Sequence, residues 1–106
     1  MSNVSDYRAQ IPDKPGGVGK ATLFRSDNLL LGLNALAPGA EQAVHTHPGQ
    51  DKFYHVLEGR GSFTVGDEVQ EAGPGEVIWA AAGAPHGVRN DRSERLVLLV
   101  GIAPAP

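Results

Sequence analysis

Short apolar stretches separated by glycine and proline set the rhythm of this chain. Runs rich in branched and aromatic residues fall at 21–25 (ATLFR), 29–37 (LLLGLNALA), 52–58 (KFYHVLE), 61–65 (GSFTV), 76–80 (EVIWA), 86–90 (HGVRN) and 95–102 (RLVLLVGI). Many short strands at this spacing predict an all-β sandwich or barrel. GSFTV-GD-EVQEA predicts a hairpin with Gly66-Asp67 as a two-residue turn that needs glycine first. AGPGE predicts a type II turn at Pro74-Gly75. Gly32, inside the second run, marks a bulge or a close backbone approach. No amphipathic helix is evident. Residues 1–20 are polar and rich in Pro and Gly, and read as an N-terminal arm, disordered or added as a strand to a partner subunit; 21–106 form the barrel.

Composition changes this picture only at the edges. A chain of 106 residues with 41% apolar content is one domain able to bury a core without staples. It has no cysteine, so a metal site must use nitrogen and oxygen ligands. A net charge of −3 without a basic run argues against a nucleic-acid partner. The absence of a basic start followed by an apolar run, and of any long apolar segment, leads to the expectation of a cytoplasmic protein without a membrane partner. GGVGK at 16–20 fails as a phosphate loop, because Lys14 stands where that motif needs glycine and Ala21 follows Lys20.

Candidate chemistry concentrates in HTHPGQDKFYHVLEG, residues 45–59. On a strand, His45 and His47 would share a face, about 6.5–7 Å apart along the chain. His86, after an Ala-Gly-Ala-Pro turn, opens another strand. A pair on one strand and a single ligand on another build a facial site with open positions. The alternative is a set of histidines that only pack and hydrogen-bond.

These residues resemble the cupin superfamily, a jelly-roll β-barrel or double-stranded β-helix. The first family motif, G-x5-H-x-H-x(3–4)-E-x6-G, aligns with Gly39, His45, His47, Lys52 and Gly59; the second, G-x5-P-x-G-x2-H-x3-N, with Gly75, Ala81, Gly83, His86 and Asn90. The motifs span 39–59 and 75–90. Ala81 replaces a proline, at a cost in turn rigidity. Lys52 replaces the glutamate that completes the usual ligand set. Three outcomes stay open: a three-histidine metal, a substitute ligand from Asp51 or Gln50, or no metal. Asp51 would need a bulge to face inward. An ammonium 4 Å from a unit charge is repelled by about 4 kcal/mol at an effective dielectric of 20, unless it deprotonates or an anion intervenes.

The resemblance implies a divalent transition metal (Fe, Mn, Ni or Zn) on His45, His47 and His86, and a homodimer; three neutral imidazoles without the glutamate leave a site at +2, which favours a small, anionic molecule as partner. The resemblance also implies dioxygenase-, isomerase- or decarboxylase-like chemistry, or a non-catalytic binding or sensor module on the same fold. Lys52 and Tyr54 are the only candidates for proton transfer. His55 should point away from the site, with Phe53 and Leu57, towards a second sheet or another subunit. Trp79 reads as core or pocket wall, and Asn90 as a turn brace. Arg89, Asp91, Arg92, Glu94 and Arg95 read as a solvated turn.

Overall fold

The computed structural model describes residues 2–106. Nine strands form two antiparallel sheets. They are β1 (Val18–Arg25), β2 (Leu30–Leu36), β3 (Glu41–His45), β4 (Asp51–Glu58), β5 (Gly61–Val65), β6 (Glu68–Ala72), β7 (Val77–Ala80), β8 (His86–Arg89) and β9 (Leu96–Ala103). One sheet has the order β1-β2-β9-β4-β7, the other β3-β8-β5-β6. A single 3-10 turn, Tyr7–Ala9, is the one helical element among the described residues. The arrangement is the jelly-roll double-stranded β-helix that the motifs implied.

Alternation along the strands explains the core. On β4, Lys52, Tyr54 and Val56 face inward and are buried, while Phe53, His55 and Leu57 face out and are half-buried. Val56, Leu98 and Leu36 meet Phe63 and Val88 of the second sheet. The central strands β9 and β2 are mostly buried and read as nearly continuous apolar runs. Over Gly101 of β9 lies the Phe53 ring, in the space a side chain would need.

The turns follow their sequences. Val65 pairs with Glu68, leaving Gly66-Asp67 as the hairpin loop, and Gly66 has φ 63°. Gly75 has φ 88°, with Glu76 N donating to Gly73 O at 3.0 Å. At Gly32 both expectations meet. A Cβ there would lie 2.9 Å from Ala21 O, and the bulge sits opposite, in β1 between Thr22 and Phe24.

Three details differ from the expectations. β1 starts at Val18, so 18–20 of the expected arm pair with β2 of the same chain. β3 lies outside every apolar run, since EQAVH carries few large apolar residues. Trp79 is neither core nor pocket wall: it lies on edge strand β7, on the outward face opposite Phe53, and is 58% exposed. Around 89–95 the charges are exposed and partly paired, Arg92 with Glu71 and Arg95 with Glu58. Pairs of that kind add little stability. No helix among the described residues is long and apolar enough to cross a membrane.

Candidate metal centre

β3 and β8 pair so that His45 stands directly opposite His86. The ladder slips between Gln42 and His45, and β3 ends at His45. His47 therefore lies beyond the strand, not on it. The curl of the chain brings its ring back: His45 Nε2 and His47 Nε2 are 2.8 Å apart. The three imidazoles form one cluster, with their ligand atoms within 4.8 Å of one another. Ring centroids are 4.6 Å apart for His45–His47 and His45–His86, and 5.3 Å for His47–His86.

Backbone carbonyls set the tautomers. His45 Nδ1 donates to Ala43 O at 2.7 Å and His86 Nδ1 to Ala84 O at 3.0 Å. Each Nε2 then carries its lone pair towards the cluster, the orientation that metal-ligating histidines use. His86 Nε2 is buried and has no hydrogen-bond partner among the described residues. A buried acceptor without a partner is costly unless something binds it. Burial first, and then nearby positive charge including Lys52, holds His47 below the ordinary imidazole range. Burial does the same to His86, partly offset by its bond to Ala84 and reinforced by Lys52. With those tautomers, His47 Nε2 donates to His45 Nε2, and a shift of that proton to His47 Nδ1 would turn all three lone pairs inward, a neutral imidazole set that fits a borderline divalent cation.

Lys52 occupies the inward position where the family carries glutamate. It is 5% exposed, and its Nζ lies 4.9 Å from the Tyr54 ring centroid, a cation–π contact. Burial, aided by the charge on Lys20, lowers its amine to about 8. Tyr54 does not line the cavity as expected of a proton-transfer group. It is wholly buried beneath Lys52, its hydroxyl has no partner among the described residues, and burial pushes the phenol above its ordinary range. It serves as a floor against Phe63 and His86.

Neither substitute ligand reaches the cluster. Asp51 has the opposite parity to Lys52, with no bulge to turn it, and Asp51 Oδ1 accepts from Ala82 N at 2.9 Å. Gln50 Nε2 donates to Pro104 O at 3.2 Å. His55 faces out with Phe53, as parity requires, and is not in the cluster.

A cavity of about 370 Å³ opens beside His45, His47 and Lys52. Its walls include Lys20, Thr22, Asn34 and Gln42, which sequence reasoning missed. The inward parity of β1 could have flagged Lys20 and Thr22, but GGVGK drew attention only as a phosphate loop. Asn34 and Gln42 lie outside both motifs or at positions that these leave free.

Comparison with known proteins places this geometry. The cupin domain family model matches residues 32–102, about two thirds of the chain. The crystal structure of TT1209 from Thermus thermophilus is 41% identical, covers 99% of this chain and 100% of its own, and superposes with a TM-score of 0.94. A predicted oxalate decarboxylase from Thermotoga maritima is 25% identical over 83% of this chain and 81% of its own, with a TM-score of 0.78. The uncharacterised protein SCO3923 of Streptomyces coelicolor is 34% identical over 73% of this chain and 72% of its own. With both motifs in register and the histidines converging at the mouth of a double-stranded β-helix, the chain belongs to the cupin family.

Proposed function

We propose that this cupin holds one first-row divalent metal on His45, His47 and His86 and acts on a small anionic molecule in the adjoining cavity. The observation that carries this reading is the orientation of the buried His86: its Nδ1 is tied to a carbonyl and its Nε2 is free towards two other imidazoles. The ion, whether Fe, Mn, Ni or Zn, would supply Lewis acidity and open coordination positions. The chain's own groups do the rest. Three neutral imidazoles leave the ion's full charge uncompensated, and Lys52 adds an ammonium where a carboxylate would have subtracted charge. An anion entering the cavity relieves both. Lys52 is then the group that orients the acid end of the ligand and can pass a proton to it. Similarity to a predicted oxalate decarboxylase supports a carboxylic acid as the ligand and decarboxylase-like chemistry over oxygen insertion.

The test is elemental analysis after reconstitution. The wild type is expected to retain one ion per chain and His86→Ala to retain none, since two imidazoles from adjacent chain positions hold an ion weakly. Wild-type protein that emerges metal-free would overturn the reading. One observation favours a second reading, a non-catalytic binding module: with Tyr54 withdrawn into the core, the cavity offers only amines and imidazoles for proton transfer. A bound ligand recovered chemically unchanged after long incubation with metal-loaded protein would support that alternative.

A further inference from the structure

The cavity beside the histidines carries two lysines, and no Asp or Glu side chain lines it among the described residues; Pro106, whose oxygen accepts from Arg25, completes the wall. The chain as a whole has a net charge of −3, so this cationic pocket is local and runs against the rest of the molecule. Neither lysine has an ion-pair partner among the described residues. Lys52 enters from β4, level with Ile102. Lys20 enters from β1, level with Asn34, and stands exposed at the mouth. Two strands, β9 and β2, lie between them. The ammoniums therefore approach the cavity from opposite corners of the sheet.

The surface between them suits an extended occupant. Gly32 and Val100 lie side by side across β2 and β9, and Gly32 contributes no side chain. Asn34 Nδ2 donates to Gln42 Oε1 at 3.3 Å, which leaves Gln42 Nε2 as a free donor beside the histidines. A ligand with a single acid group at Lys52 leaves Lys20 repelling its neighbour across the same space. Two acid groups satisfy both.

We propose that the ligand is a small dianion, a dicarboxylate whose acid groups are far enough apart to meet Lys52 and Lys20 together. This rests on reading the cavity as the ligand site, and it names Lys20 as the residue that distinguishes two acid groups from one.

Calorimetric titration can compare three diacids (succinate, glutarate, adipate) with the monoacids of equal carbon number (butyrate, valerate, hexanoate). The protein is used as purified, with its metal content measured on the same samples. At least one diacid is expected to bind more tightly than its monoacid by about threefold or more, the equivalent of one added ion pair at an exposed mouth. Lys20→Met should abolish that preference, and Lys20→Arg should restore it. No diacid preference, or a preference that survives Lys20→Met, overturns the proposal. Metal content decides the earlier reading separately: protein without metal that still prefers diacids sinks the metal and keeps the dianion, and metal-loaded protein without the preference does the reverse.

Discussion

Lys52 decides the chemistry at the scale of a single residue. Its burial and the charge on nearby Lys20 oppose an ammonium there, while the face of the Tyr54 ring favours one. The folded amine titrates at about 8 against 10.5 when free. Between those values the unfolded chain holds more protons, so stability rises with pH across that window and the cost of the buried ammonium is fully felt below it. Metal binding should follow the same charge. At pH 6.5, Lys52→Met and Lys52→Glu are expected to bind Zn at least about tenfold more tightly than wild type, the glutamate more than the methionine. By pH 9, where the wild-type amine is neutral, the methionine's advantage should vanish. Competition titrations with a chelating dye at the two pH values measure this. An unchanged affinity for Lys52→Glu would place the side chain outside the site. The sequence exposed Lys52 because it broke a motif; it could not expose Tyr54's withdrawal, which depends on how β4 sinks beneath β5 and β8.

Among the elements, the turn after β8 shows what one polar side chain can hold. Asn90 is wholly buried. Its Nδ2 donates to Leu36 O at 3.0 Å and Glu94 O at 2.8 Å, and its Oδ1 accepts from Arg92 N at 3.0 Å. One side chain thus joins the end of β2 to both sides of the β8–β9 connection. Asn90→Ala leaves buried backbone groups without partners and is expected to cost about 2–3 kcal/mol, or roughly 10 °C or more in Tm for a domain of this size. Thermal unfolding followed by circular dichroism checks it, and a shift under a few degrees would refute it. The rhythm of apolar runs between Gly and Pro, with the one hairpin signal, located eight of the nine strands. It missed β3, because that strand pairs through only one edge and buries little, which removes the apolar signature. Trp79 failed for a related reason: an aromatic residue on an edge strand looks the same in sequence as one in the core.

Across the whole molecule, the outward face of the five-stranded sheet is the unfinished surface. Trp79 and Val77 on β7 are 58% and 63% exposed, beside half-buried Phe53, His55, Leu57 and Leu99. Contiguous apolar surface next to an open sheet edge is what association covers. The homodimer expected from sequence is therefore expected to close on this face. Light scattering should give twice 11.1 kDa, and Trp79→Lys should move the species to the monomer mass. A monomeric wild type across a wide concentration range would contradict it. Residues of both motifs meet across sequence distances that no local pattern encodes: β3 beside β8, β4 beside β7. The resemblance supplied the fold, whereas the apolar runs alone stopped at a list of strands.

The turn at residues 81–84 carries a consequence for how the centre could load and release its contents. Asp51 grips Ala82 N, and Gly83 N donates to His47 O at 3.3 Å. The first motif thereby holds the very turn that delivers His86. The two halves of the histidine cluster behave as one clasp, latched from outside the cavity by a carboxylate that never touches the contents. Opening the clasp means undoing the latch, so an external aspartate and a peptide N–H would add to the imidazoles' hold on anything kept inside.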